Sequence, residues 1–262
     1  MVDLSEVSGL PLKFDEETCQ IITESGVRFE SEKTVSLSEI TPILLNKSLR
    51  YPEKVYTQYH NLTNEKIGNT NVSYDLMVMP IGLLGIEFIK THIFYSNYQE
   101  GYYDAMIEVL HGNLTVLIQK NREKQDPYQY ETYVDEVGIF TIRKGERLSI
   151  PTGYFYTFFN TSITPVVFAK IASCNHCQAD YELFKKEKSL AYYLISKNAK
   201  VEVVANPRYK IDCQVKFYNS KKLRNEENQN YMHQHLVDKS DPMYEFIFEE
   251  EFIADNIYAN LN

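Results

Sequence analysis

Residues 145–160 read GERLSIPTGYFYTFFN, and the fold turns on them. Gly145 permits a tight turn at the end of the preceding Arg143-Lys144 step. Residues 147–150 then suit a strand, and Pro151-Thr152-Gly153 make a corner, since proline fixes one backbone angle and glycine frees the next. Residues 154–159 form a second strand. Side chains alternate across a strand, so Tyr154, Tyr156 and Phe158 share one face, expected to point inward.

Working outward, short strands separated by glycine and proline continue on both sides. Residues 137–143, VGIFTIR, and 165–172, PVVFAKIA, are strands. Residues 105–119 read as a hairpin, with Leu114, Val116 and Ile118 alternating and a turn at His111-Gly112-Asn113. Residues 76–90 suit a strand, a turn at Ile81-Gly82 and a second strand. Val55, Tyr56 and Tyr59 mark a strand, and 121–136 reads as a polar loop. Residues 180–197 read as a helix or a long excursion, and 201–205 as a strand stopped by Asn206-Pro207. This pattern predicts an all-β barrel over residues 1–210. Residues 211–262 form an extension. In it Asp241 and Pro242 start a helix over 242–259, with Met243, Phe246, Ile247, Ile253 and Ile257 near one face.

Composition limits the function classes. The chain has 262 residues and a formal net charge of -9, from 27 basic and 36 acidic residues. That balance argues against nucleic acid as a partner. No apolar run approaches the roughly 20 residues of a membrane span. The acidic start, MVDLSEVSGLPLKFDEE, lacks the apolar region of a signal peptide, so the cytoplasm is the expected compartment. Four cysteines do not make a disulfide scaffold in a chain of this length. There are 21 Tyr and 14 Phe but no Trp. Tyrosines 95, 98, 102 and 103 crowd one segment, which suggests either packing or a tyrosine-lined mouth.

The spacing in 145–160 resembles the second motif of the cupins: Gly, five residues, Pro, one, Gly, two, His, three, Asn. Every fixed position matches except the histidine, where Tyr156 stands. The resemblance extends to the cupin-type glucose-6-phosphate isomerases. LPLKFDEETCQIITESG is similar to their opening strand pair, GIEFIKT (85–91) to the stretch before their metal site, Leu110-His111-Gly112 with LTVLIQ to their barrel segment, and VEVVANPRY (201–209) to their closing segment. It covers roughly residues 10–210 and implies a cupin double-stranded β-helix that pairs into a homodimer.

The same resemblance implies a divalent metal held by two histidines one residue apart, a glutamate, and the histidine of the second motif. The aligned residues here are Phe94, Ser96, Ala105 and Tyr156. Such metals take imidazole and carboxylate, so no metal and no cofactor is expected. Alternation then places His92 on the face of 94 and 96, as a titratable group beside Tyr156 and Tyr154. These three are the candidate catalytic residues. Lys90 and Thr91 near the family's phosphate loop, with Ser96, Tyr98 and Tyr181, are the candidate ligand-binding residues. Two further constellations carry weaker signals. Cys174 and Cys177 have zinc-like spacing without a second such pair, which favours inert thiols. His233 and His235 could hold a metal with Asp238, although solvated histidines are the rule in so polar a segment.

Three functions fit. The first is a sugar-phosphate-isomerase-like cupin acting without the usual metal on a sugar or other small molecule in the barrel. The second is a non-catalytic cupin binding a small molecule or peptide. The third is an active glucose-6-phosphate isomerase with a relocated metal site.

Overall fold

The computed structural model describes residues 1–24, 26–63, 72–96, 105–123, 131–151, 153–173, 181–219, 231–232 and 257–259. The chain begins with a three-stranded sheet, β1 (Val2–Asp3), β2 (Leu12–Asp15) and β3 (Gln20–Thr23), interrupted by the short helix α1 (Ser5–Ser8). The expected opening strand pair is present as β2 and β3, with Leu12 opposite Thr23. There follow β4 (Arg28–Ser36), α2 (Leu37–Ile40), β5 (Lys54–Thr63), β6 (Val72–Met79), β7 (Leu83–Leu84), β8 (Glu87–Lys90) and β9 (Phe94–Tyr95). The centre of the chain supplies β10 (Ala105–His111), β11 (Asn113–Asn121), β12 (Thr132–Arg143), β13 (Arg147–Ile150), β14 (Phe155–Asn160) and β15 (Val166–Ser173). Helix α3 (Tyr181–Glu187) and the strands β16 (Tyr192–Lys197), β17 (Lys200–Ala205), β18 (Tyr209–Ile211), β19 (Val215–Asn219) and β20 (Ile257–Ala259) complete it.

Two sheets make the cupin fold. One has the order β13-β10-β15-β6-β5-β4. The other runs β18-β12-β11-β14-β8-β16-β17-β20, with β7, β9 and β19 attached to β8, β14 and β12. The 145–160 stretch works as a corner between them. Its first strand, β13, lies in the six-stranded sheet and its second, β14, in the other. Gly153 takes the left-handed backbone that the corner requires, at φ +91. Asn160, which closes the motif, is buried and ties the far end. Its amide donates to the carbonyls of Met79 (3.3 Å), Pro80 (2.9 Å) and Thr164 (3.0 Å), and its oxygen accepts from the Ser162 N–H and hydroxyl.

The hairpin expected over 105–119 is not one. β10 pairs with β13 and β15, whereas β11 pairs with β12 and β14, so residues 111–113 carry the chain from one sheet to the other. Gly112 makes this crossing possible: its φ is +76, and an added Cβ would stand 2.5 Å from the Pro165 carbonyl oxygen. Alternation alone cannot tell a hairpin from such a corner, because both need two strands and a turn. Three other expectations are corrected. Strand β12 already starts at Thr132, inside the segment read as a loop. The extension is not helical at its described end, since Ile257–Ala259 is a strand parallel to β17; the remainder of 242–256 lies outside the described residues. Finally, β18 spans residue 210 and β19 pairs with β12 as far as Asn219, so the barrel sheet continues past the boundary placed at 210.

Both faces of the six-stranded sheet are covered. Its inner face meets the second sheet, where the Phe158 ring lies 4.6 Å from that of Phe168. Its outer face buries Tyr74, Leu76, Met106, Leu110, Val167 and Ala169 under Leu4, Leu10, Leu12 and Phe14 of the N-terminal segment and Met232. Tyr231 stacks its ring on the backbone of Gly9, a position where any side chain would collide with it.

Candidate functional site in the barrel interior

Strands β5, β6 and β15 lie side by side and turn polar groups inward. On β5 these are Tyr56, Gln58 and His60, which alternation puts on one face. Asp75 on β6 and Lys170 on β15 are direct cross-strand partners. Asp75 is fully buried and Lys170 is 2% exposed. The Asp75 carboxylate accepts from the Gln58 amide at 3.2 Å and from the Asn61 backbone N–H at 3.0 Å, and His60 Nδ1 stands 3.5 Å away. Burial pushes this carboxyl up, but the hydrogen bond from His60, the charge of Lys170 and the Asn61 N–H outweigh it and hold its pKa at about 2. His60 Nδ1 also lies 3.3 Å from the Gln58 amide nitrogen. The Lys170 ammonium lies 4.3 Å from the centre of the Phe94 ring. Burial lowers its pKa, and Asp75 partly restores it.

The four positions that align with metal ligands do converge. β9 and β14 set Phe94 opposite Tyr156, with the rings stacked at 5.4 Å and 26°. The Ser96 hydroxyl donates to the Ile150 carbonyl at 3.0 Å, and Ala105 pairs with Ile150. A phenyl ring, a hydroxyl bonded to backbone, a methyl group and a phenol do not fit a divalent ion. Among the described residues no group of three or more His, Cys, Asp or Glu could hold a metal.

The structure separates the remaining candidates. Tyr156 lies in the interior, 2% exposed, with its phenol pushed up by burial and then by Asp75. His92 is half-buried at another point, its Nδ1 2.7 Å from the Tyr56 hydroxyl; burial holds the imidazole below its ordinary range, against the pull of Glu39. Tyr154 lies just before β14, with the Lys120 ammonium 5.7 Å from its ring centre and its hydroxyl donating to Glu136, an exposed residue of β12. Lys90 points away from the interior cluster. Its ammonium donates to the Ile43 carbonyl (2.7 Å), Glu87 (2.6 Å) and Ser189 (3.3 Å), with both charged side chains fully buried. Thr91 bonds within the β8–β14 seam, to the His92 carbonyl, the Thr157 hydroxyl and the Phe158 N–H. Ser96 clasps the corner: its carbonyl accepts from Gly153 N–H and its N–H donates to Tyr154. Tyr181 opens α3, and its side chain lies outside the described residues, as do Tyr98, Cys174, Cys177, His233 and His235.

Asp75, Lys170, Gln58 and His60 went unread. A signal existed: a single lysine in VVFAKIA shares its face with Val166 and Phe168, and Asp75 shares one with Met77 and Met79.

Comparison with known families adds one decisive match: the profile described as Glucose-6-phosphate isomerase (GPI) covers residues 44–211. The chain belongs to this glucose-6-phosphate isomerase family. No curated protein matches the sequence. Among solved structures, the coconut allergen cocosin is 15% identical, with a TM-score of 0.34, over 56% of this chain and 31% of that one. The Cnp3 cupin domain of Schizosaccharomyces pombe is 13% identical, with a TM-score of 0.29, over 54% and 77%. The Drosophila melanogaster CENP-C cupin domain is 10% identical, with a TM-score of 0.27, over 44% and 67%. At the positions aligned with the family's metal ligands this chain carries Phe94, Ser96, Ala105 and Tyr156. No helix among its described residues is long and apolar enough to cross a membrane.

Proposed function

We propose that the chain binds a small, oxygen-rich molecule of the sugar or sugar-phosphate type inside the barrel and acts on it as a metal-free, isomerase-like enzyme. The observation that carries this reading is the ionised Asp75, wholly enclosed between the sheets with His60 beside it. Buried charges seldom repay their desolvation as stability alone, and strongly perturbed groups in an enclosed site favour a functional role. A ring nitrogen of His60 is the proton acceptor for a C–H next to a carbonyl. The imidazolium exchanges its proton with solvent and returns one to the neighbouring carbon, while the hydroxyl proton passes from one oxygen to the other, so the reaction balances without a redox partner. His92 and Tyr156, the groups first expected to share this work, have separate surroundings, and Tyr156 is the one placed close enough to Asp75 to feel its charge.

A second reading is a binding protein without catalysis. It is favoured by the rings of Phe94, Tyr156, Phe158 and Phe168, which pack against one another inside the barrel. Incubation of the protein with glucose 6-phosphate and fructose 6-phosphate in deuterium oxide with EDTA, followed by NMR, decides between them. Deuterium at the carbon next to the carbonyl, lost in His60→Ala and Asp75→Asn, supports the enzyme. Saturable binding without exchange supports the binding protein, and neither overturns both.

A further inference from the structure

The mechanism above uses Asp75 and His60 and leaves two buried donors of the interior without a task. Lys170 is enclosed by β6 and β10, opposite Asp75 and Ile107. Its charge senses Asp75, but no hydrogen bond or ion pair of its ammonium occurs among the described residues. The polar atoms of Asp75 are engaged instead by Gln58, Asn61 and His60. Tyr156 is equally enclosed, and its hydroxyl likewise makes no hydrogen bond among the described residues. Phe94 joins the two: the ammonium sits over its ring at 4.3 Å, and the Tyr156 ring stacks on it at 5.4 Å. Each side chain is 2% exposed, so the enclosure is not sealed.

A buried ammonium with a ring face and a carboxylate beyond ion-pair distance is far from satisfied. It has three N–H donors and no acceptor among the described residues, and the adjacent phenol adds a fourth donor. A neutral hydroxyl would answer part of this need; an anionic oxygen would answer the charge as well. We infer that Lys170 and Tyr156 form a subsite for an anionic oxygen of the bound molecule, which makes an acid-bearing sugar, such as an aldonate, a better ligand than the corresponding alditol. This rests on the reading of the barrel interior as a sugar-type site and adds which end of the molecule is recognised. Lys170 is then a specificity residue, with Phe94 the platform that holds its ammonium in place.

Calorimetric titration of the full chain with gluconate and with glucitol tests it, in EDTA and at constant ionic strength. The expected result is gluconate binding at least about tenfold tighter than glucitol, as one charge-assisted hydrogen bond warrants. Lys170→Met should abolish that preference by weakening gluconate far more than glucitol, and Tyr156→Phe should reduce the preference severalfold. Far-ultraviolet circular dichroism checks that each variant is folded. If Lys170→Met does not fold, the wild-type comparison and Tyr156→Phe decide the matter. Equal binding of both compounds by wild type, with both weakened in His60→Ala, overturns the subsite and leaves the sugar-site reading standing. So does an aldonate preference that survives Lys170→Met. Absence of binding by either compound overturns both.

Discussion

At the scale of single residues, the interior charges make measurable demands. The folded pKa of Asp75 lies near 2, below the ordinary 3.8. A carboxyl depressed in the folded state contributes stability above its unfolded pKa and loses it as pH falls through the folded value. Unfolding free energy from urea titration should therefore fall by about 2 kcal/mol between pH 5 and pH 2 through this group. Asp75→Asn should lack that portion of the acid loss; an identical pH profile in the variant would refute the assignment. Lys90 gives a different demand. It was expected to hold a ligand, but Lys90→Met should leave Glu87 charged and unpaired in a fully buried place and cost about 3–5 kcal/mol. Replacing both residues by apolar ones should recover much of that loss in the same titration. Tyr156→Phe, by contrast, removes a hydroxyl with no described hydrogen bond, so stability should change by less than about 0.5 kcal/mol while ligand affinity falls.

At the scale of elements, the corner motif shows how much the sequence disclosed. Gly145, Pro151, Gly153 and Asn160 could be read because turns impose steric demands that few residues meet. The partners of Asn160 could not, since Met79 and Pro80 lie some eighty residues away. Asn160→Ala breaks five hydrogen bonds and takes a donor from the Met79 and Pro80 carbonyls at the end of β6. The expected cost is about 2–4 kcal/mol, measured by denaturant midpoint with an unchanged slope. The site was harder to read than the fold for a physical reason. Strands β6 and β15 are buried on both faces, so runs such as LMVM and VVFA hide the alternation that would have sorted Asp75 and Lys170 inward. Position 156 was placed by motif spacing, and 94, 96 and 105 by the family resemblance; both are indifferent to what fills them.

At the scale of the whole molecule, the cover over the outer face matters most. Leu4, Leu10, Leu12 and Phe14 shield a sheet face that holds Tyr74, Met106 and Val167. Deleting residues 1–26 should bare that face, and the product should bind a hydrophobic dye and aggregate on size-exclusion chromatography. A monodisperse, dye-silent product would show that the cover is dispensable. The β7–β8 hairpin and the turn before it leave Ile81, Leu83 and Ile86 exposed, near 53%, 41% and 51%, an apolar surface open to the homodimer pairing that the family resemblance implies. Light scattering should give a dimer mass, and Ile81→Asp with Ile86→Asp should shift it toward the monomer; a monomer mass for wild type at high micromolar concentration would refute pairing. The covered outer face also sets a timetable for synthesis. Residues 4–14 carry half of an apolar interface whose other half is complete only when Val167 and Ala169 follow some 150 residues later and Met232 later still. Closing contacts over so much chain is slow. The leading segment must therefore wait, sticky and unpaired, through most of translation, which makes the newborn chain a natural client for a holding chaperone.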